Sequence, residues 1–508
     1  MNGEPTRDRH PVRAGVAAGA IALALYAATV SRHVGSEDIA EFQTLVVTGG
    51  IAHAGYPLPV LLFHALGLVP IGSPAVRANL LCALAGAVAV GCAAWLATHL
   101  TRRAAPAIVA ALALALSVSL WSESTHAEVY ALTLPITAFL FVAAWRYASA
   151  PSGVTAFLAG LLGGLGLVSH LSMLGLIPVV IASAGFAARD RALRVRHVAL
   201  AAAGLLVGLL PLVYMIAQDR PDRPMNYLHD TLRSDNVAEL TGGHPPTTRI
   251  ERAIWLLSSS QYLGGTAFTN ARTRVGELAL AVVYNEFPVW GVLLAVLGLV
   301  TAWRSQRRTA LLLSLWLAGT LFWLLYGANS GILRMFFLPG LWALAILVGF
   351  SLAALARRSR PLFVVASLLL LVTPLVRLGL VQPPGPLAHH PQSVRMWSVA
   401  PAQWSPFRDD DQWDEYGRAV MRALPPRAVV LTCWQAGTTL RYFRYAEPLR
   451  DDVDVLYHCR LPAPGFAAAD SAGRPIYTTY PLTAEMTGGR PFEEVGRWRA
   501  GGLWRIGR

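Results

Sequence analysis

Read along its length, the chain alternates between long apolar runs and short polar breaks, and most of the runs match the thickness of a bilayer. About 17–25 apolar residues suffice for a spanning helix. Eleven segments fit, at about 14–30, 76–100, 105–121, 128–146, 153–168, 171–187, 198–217, 281–303, 309–326, 335–356 and 361–380. A shorter apolar piece, Leu58 to Ile71, is bounded by Pro70 and Pro74 and reads as an interfacial or re-entrant helix. From about Val381 the pattern changes to proline, histidine and charge, then to short alternating elements. These are an amphipathic helix near Trp413–Leu424, a strand Ala-Val-Val-Leu-Thr-Cys, a helix near Thr438–Tyr445, a strand Val-Asp-Val-Leu-Tyr-His-Cys, and a final hairpin around Gly501–Gly502. Strand, helix and strand in that order predict a βαβ unit. The expected fold class is therefore an all-α polytopic membrane protein of about eleven transmembrane helices with a small C-terminal α/β domain. The membrane part would occupy residues 1–381, with long outer loops at 31–75 and 218–280, and the α/β part residues 382–508.

Charge sets the orientation. The chain has 42 basic residues, all arginine, and these gather between alternate spans: Arg102–Arg103, Arg146, the cluster Arg189 to Arg196, Arg304 to Arg308 and Arg357 to Arg360. The opposite short connections, such as Ser122 to His126 or Ala328 to Leu333, carry almost none. By the positive-inside rule the arginine side and the N-terminus are cytoplasmic, and the two long loops and the C-terminus face outward. The first run, preceded by Arg7, Arg9 and Arg13, also has the form of a signal peptide. We read it as an uncleaved span, because cleavage would strip one wall from the polar loop that follows.

Composition narrows the class further. With 55% hydrophobic and only 14% charged residues, the chain is far from the roughly 25% charged usage of soluble domains. The net charge of +13 is spread over loops as a topology signal, so it does not mark a nucleic-acid footprint. Ala, Arg, Gly and Pro are abundant, which suggests a bacterial source. Cys82 and Cys92 lie in an apolar run and read as small packing residues. Cys433 and Cys459 end the two probable strands, where an oxidising compartment would allow a disulfide.

The candidate chemistry gathers in the loop Ser36–Pro59. Asp38 and Glu41, three apart, share one helical face. A carboxylate placed to accept a proton from a reacting hydroxyl supplies about 10²–10⁴ in rate. Helix-capping acids at a membrane edge are the plain alternative. His53 and Tyr56 follow in His-Ala-Gly-Tyr-Pro, which suits a phosphate or sugar hydroxyl but is also an ordinary interfacial turn. Glu128 opens a span on the outer side, where the helix dipole alone would favour it. Ser169–His170 sits between two apolar runs and could be only a tight turn. Arg334 stands on the outer side against the arginine bias, placed to bind a lipid phosphate or merely to snorkel. No zinc spacing, phosphate-binding glycine loop or nucleophile elbow is present. Two carboxylates offer oxygen ligands to a divalent cation but do not define a site, so no cofactor is assigned.

Taken in order, Asp-Ile-Ala-Glu-Phe from Asp38, Gly-Ile-Ala-His-Ala-Gly-Tyr-Pro-Leu, Ala-Glu-Val-Tyr-Ala-Leu from Ala127 and Gly-Leu-Val-Ser-His-Leu-Ser-Met-Leu from Gly166 resemble a large bacterial and eukaryotic membrane family. This family, once called a domain of unknown function, includes the eukaryotic protein O-mannosyltransferase of plexin-type IPT domains. It looks like part of the GT-C superfamily of inverting, polyprenyl-phosphate-sugar-dependent enzymes. The family's first outer loop reads Asp-Ser-Gly-Glu, then His-Pro-Pro-Gly-Tyr-Pro. Here Asp38, Glu41, His53, Gly55, Tyr56 and Pro57 keep their places, Ile39 and Ala40 replace Ser-Gly, and Ala54 replaces one proline while the other is lost. Arg77 and Asn79 fit the start of the second span. Before its Phe-Leu-Pro the family tends to carry an acid, where this chain has Arg334.

The resemblance implies a membrane glycosyltransferase moving a sugar, mannose being one candidate, from a polyprenyl-phosphate donor to a hydroxyl of a protein or glycan. Asp38 is expected as the general base, with Glu41 orienting it or binding acceptor. His53, Tyr56, Glu128 and His170 would line the site, and Arg77 or Arg334 would meet the donor phosphate. The partners would be donor, acceptor and membrane lipid, with no nucleic acid. A rival reading is a transporter or flippase of the same lipid-linked sugar. The lack of a half-to-half repeat and the collection of polar residues on one face favour the enzyme.

Overall fold

The computed structural model describes residues 10–232, 237–258, 271–326, 333–380, 409–458, 469–483, 487 and 489–507. Among these described residues seven helices are long and apolar enough to cross a membrane: His10–Thr29, Pro74–Thr101, Val129–Ser149, Leu171–Arg189, Val195–Gln218, Arg307–Tyr326 and Leu338–Arg358. The other predicted spans coincide with shorter apolar helices, Ala104–Ala115, Gly153–Leu167, Val289–Ser305 and Arg360–Pro374. The chain is a multi-pass membrane protein.

Two of the short ones have a local cause. The run expected at 105–121 stops at Ala115 and resumes as Val118–Glu123, with Ser117 extended between them. The run expected at 281–303 begins only at Val289, because Pro288 holds the N-cap position and its ring cannot continue a helix from upstream. A helix Ala271–Ala281 and one π turn, Val282–Glu286, precede it. Leu58–Ile71 folds as the helix Pro57–Ala65 and a 3₁₀ turn Leu66–Leu68, leaving Leu68 and Ile71 exposed as an interfacial element would.

Between helices, small residues set the approach. Gly15 faces Gly91 so closely that a Cβ on either would lie 2.9 Å from the other's carbonyl oxygen, the close backbone contact that membrane helices use where burial alone gives little drive. Tyr26 Oη donates to the Ala115 carbonyl at 3.1 Å and Trp121 Nε1 to Thr29 Oγ1 at 2.8 Å, so the first helix is tied into the bundle.

Beyond residue 408 a five-stranded sheet runs in the order β2-β1-β3-β5-β4. Its strands are β1 (Val429–Thr432), β2 (Asp454–Tyr457), β3 (Ile476–Thr478), β4 (Phe492–Trp498) and β5 (Gly501–Ile506). β1 is parallel to β2 and β3, while β5 is antiparallel to β3 and β4. The expected βαβ unit is β1, the helix Trp434–Tyr445 and β2. That helix starts four residues earlier than its apolar pattern suggests, capped by an extended Cys433. Cys433 is disulfide-bonded, and Cys459 lies outside the described residues. Cys82 and Cys92 are buried thiols, as expected.

This unit does not close its own core. Val34, Ala40 and Ala75, all from the membrane part, are buried in one cluster with Tyr416, Val420, Leu440 and Phe443.

Candidate active site

The polar loop folds as a helix, Glu37–Thr48, with Ser36 as its N-cap and Gly49 at its end. Its entry is anchored by Gln43, whose Oε1 accepts from Gly35 N–H at 3.0 Å and whose Nε2 donates to Asn79 Oδ1 at 3.2 Å. Asn79, on the second span, donates in turn to the Ser31 carbonyl at 2.9 Å. One turn of helix separates Asp38 from Glu41, and as expected both carboxylates face the same way, toward His53.

The strand-like segment after the helix is held from the other outer loop. Ile51 N–H donates to Met225 O at 2.9 Å and Tyr227 N–H to Ile51 O at 3.0 Å. Gly50, at φ +120°, lets the backbones meet: a Cβ there would sit 1.9 Å from Met225 O. A tight turn closed by Gly55 N–H to Ala52 O, 2.9 Å, then presents His53, and Tyr56 caps the helix at Pro57 in a left-handed conformation, φ +43°.

Glu41 takes His53 at two points. Its Oε1 accepts the His53 backbone N–H at 3.0 Å, and its Oε2 lies 2.6 Å from ring Nδ1. On the ring's other edge Nε2 is 3.2 Å from Asp38 Oδ2. Asp38 Oδ1 accepts the indole N–H of Trp434 at 2.9 Å. The result is a carboxylate–imidazole–carboxylate chain whose inner end is sealed, with 2% of the Glu41 side chain exposed. Its outer end is open, with 31% of the Asp38 side chain exposed. Burial works to raise the Asp38 carboxyl, but the charge of His53 and hydrogen bonds from His53 and Trp434 outweigh it and hold Asp38 below its ordinary value. In Glu41 burial wins and pushes the carboxyl up. Asp38 is thus the exposed, ionised member, the state a base requires.

Around this chain stands an aromatic wall. Tyr56 packs edge-on to His53 at 5.3 Å and flat on His170 at 5.8 Å. Tyr130 and Phe336 both meet His170 at 5.3 Å. The site reaches His170 because Leu58 N–H donates to the Val168 carbonyl at 3.1 Å. His170 Nδ1 accepts the Ser172 N–H at 3.1 Å, and burial, with the charge of His53, pushes the ring down to about 4. Glu128 is buried at the start of its span. Burial first, then the charges of Asp38 and Glu123, raises its carboxyl well above the ordinary value.

Five of the expected site residues, Asp38, Glu41, His53, Tyr56 and His170, therefore form one connected set, and Glu128 is coupled to it by charge. Arg77 is placed elsewhere: its Nη1 donates to the carbonyls of Leu66, Gly67 and Val69, closing the interfacial turn. The side chain of Arg334 lies outside the described residues, although Phe336, two positions on, reaches the site. Sequence reasoning missed Trp434, Tyr227 and Arg441. Arg441, buried, pairs with Asp230 of the second outer loop and lies 3.9 Å over the Tyr457 ring. Nothing local marks these residues, since each reaches the loop only through tertiary folding. Among the described residues no group of three or more His, Cys, Asp or Glu is arranged to hold a metal.

Residues 38–192 match the family model described as Protein O-mannosyl-transferase TMEM260 N-terminal domain. The mouse protein named Protein O-mannosyl-transferase TMEM260 is 25% identical over 485 residues, which cover 89% of this chain and 64% of that relative. The chain thus spans somewhat under two thirds of its length. Among solved structures, ArnT from Cupriavidus metallidurans bound to undecaprenyl phosphate superposes with a TM-score of 0.58 at 15% identity, covering 96% of this chain and 97% of that one. The apo form of the same protein gives 0.57 at 15%, with the same coverage. The family resemblance read from the four motifs is borne out, and so is the GT-C architecture.

Proposed function

We propose, from the family match that begins at Asp38 and the GT-C fold around it, that this chain is an inverting membrane glycosyltransferase. It transfers a sugar, mannose by analogy with the named relative, from a polyprenyl-phosphate donor to a hydroxyl of a protein or glycan. The kind of donor is suggested by the undecaprenyl phosphate bound to the similar fold. The observation that carries the reading is the asymmetry of the Asp38–His53–Glu41 chain: one carboxylate sealed against the ring, the other open and ionised.

The steps follow from that asymmetry. An acceptor hydroxyl meets Asp38, which takes its proton as the oxygen bonds to the anomeric carbon. The bond from that carbon to the phosphate oxygen breaks on the opposite face, and polyprenyl phosphate leaves with the electron pair. His53 holds Asp38 in its rotamer and offers positive charge beside it, while Glu41 fixes the ring. Tyr56 and His170 supply flat surfaces for a sugar ring, and Glu128, kept neutral by burial, supplies a hydrogen-bond donor. By the arginine bias the site faces outward, with the N-terminus cytoplasmic and the C-terminal unit extracytoplasmic. A disulfide at Cys433 agrees with an oxidising side.

The test is turnover of polyprenyl-phosphate mannose by the purified protein in detergent, with an extract of candidate acceptors, counting released polyprenyl phosphate. Wild type should release it and Asp38→Asn should not, with donor binding unchanged. Donor bound and carried across liposomes without cleavage would instead indicate a transporter.

A further inference from the structure

The base touches a side chain from outside the membrane part. The Trp434 indole N–H, which can only donate, meets Asp38 Oδ1 at 2.9 Å, on the oxygen that His53 does not face. Trp434 sits at the C-terminal end of β1, where it opens the helix Trp434–Tyr445 immediately after the disulfide-bonded Cys433. The end of the neighbouring parallel strand supplies Tyr457, whose ring is 5.2 Å from Trp434. Carboxyl ends of parallel strands are the usual place for functional side chains in such sheets. Here Trp434 points at a site in another part of the chain, with Tyr457 packed behind it.

The indole is held as well as aimed. His53 and Tyr227 pack edge-on against it at 5.5 and 5.7 Å. Further along the same helix, Thr439 Oγ1 donates to the Gly35 carbonyl at 2.8 Å, just before the helix that carries Asp38. Arg441 pairs with Asp230. Two of these contacts fix the helix against the loop of the base and the third ties it to the second outer loop, and its first residue is the one that reaches the carboxylate.

We propose that Trp434 is a positioning residue for Asp38, and that the C-terminal α/β unit thereby completes the active site. The inference rests on reading Asp38 as the base. With one oxygen taken by the indole and the other facing His53, the carboxylate cannot rotate away, and its remaining lone pairs are left for the acceptor hydroxyl. The unit acts on the chemistry through this bond, over and above any part it plays in recognising an acceptor.

Two measurements decide the matter. The first needs no substrate. Full-length protein carrying ¹⁵N only at indole nitrogens gives signals from 15 tryptophans, and that of Trp434 is identified by its loss in Trp434→Phe. It should titrate with pH in wild type and stop doing so in Asp38→Asn. A signal indifferent to that substitution overturns the proposal, whether or not the sugar reaction is the right one. The second is kinetic, with polyprenyl-phosphate mannose as donor. Trp434→Phe keeps the ring but loses a hydrogen bond to a charged acceptor, so kcat should fall about tenfold with KM unchanged. The acid limb of kcat should move up by about one pH unit, since a carboxylate deprived of a donor is easier to protonate. Trp434→His, which keeps a ring N–H, should recover part of both. A loss in Trp434→Phe with the acid limb unmoved would mean a merely structural tryptophan and would also overturn it. Wild type that leaves the donor intact counts against the glycosyltransferase reading alone, and the indole titration still decides the bond.

Discussion

Tyr56 lies flat on His170, the ring centroids 5.8 Å apart and the planes 10° from parallel. This pair joins the first outer loop to the turn between two later spans and makes one wall of the site. Replacing Tyr56 by Phe keeps the stack and should change turnover severalfold at most. Tyr56→Ala removes it and should cost about 10² in kcat/KM, a loss typical when a positioning contact goes. Steady-state kinetics on the two variants separate the cases.

His170 also predicts a pH response. Its folded value is pushed down to about 4, so the ring is neutral in the folded protein and protonated in the unfolded chain between that value and about 6.5. The unfolded state binds the extra proton, and stability must fall as the pH drops through this window, by on the order of 3 kcal/mol for the whole shift. His170→Gln should flatten the fall in thermal midpoint from pH 7.5 to 4.5.

Glu128 runs the other way. Its folded carboxyl is raised, so it keeps a proton that the unfolded chain has already lost above about pH 4.3. It therefore weakens the fold progressively as the pH rises from there toward its folded value. Glu128→Gln, which imitates the neutral acid, should keep most of the activity and should lose less thermal stability between pH 5 and 8 than wild type. A drop in turnover as large as that of Asp38→Asn would show that Glu128 works ionised.

Glu41 is sealed against His53, and removing it leaves a buried ring without its partner. Glu41→Ala should destabilise by about 3–5 kcal/mol, the usual result of breaking a buried pair. Glu41→Gln can still accept the His53 N–H. It should fold and yet lose about 10² or more in kcat, because the ring beside Asp38 is no longer held by charge. Thermal unfolding and turnover on the same samples distinguish the two effects.

Gly50 tests the join between the outer loops. Gly50→Ala would drive a methyl into the Met225 carbonyl from a positive φ, at a strain on the order of 1–3 kcal/mol. The local loss should appear as faster proteolysis within residues 218–258 and as lower turnover. Ala at the open Gly185, where a Cβ meets nothing within 4 Å, should be silent in both.

Much of this protein was legible without its structure, and the reason is one of range. Bilayer thickness demands runs of a given length, so the apolar segments announced the apolar helices. Helical spacing put Asp38 and Glu41 on one face, and the order of the four motifs carried the resemblance that the family model over residues 38–192 bears out. These are local properties, set by neighbours in sequence and by the solvent.

Other features depended on contacts between distant parts of the chain. That Arg77 closes a turn of carbonyls instead of facing the site depended on where the interfacial helix came to rest. That the helix after β1 begins at Trp434, and that its indole reaches Asp38 at 2.9 Å, depended on docking the C-terminal unit over Val34, Ala40 and Ala75. A hydrogen bond across 396 positions leaves no periodicity or spacing to read. Only the packed chain decides it, because the partners are selected by burial and shape after the elements have formed.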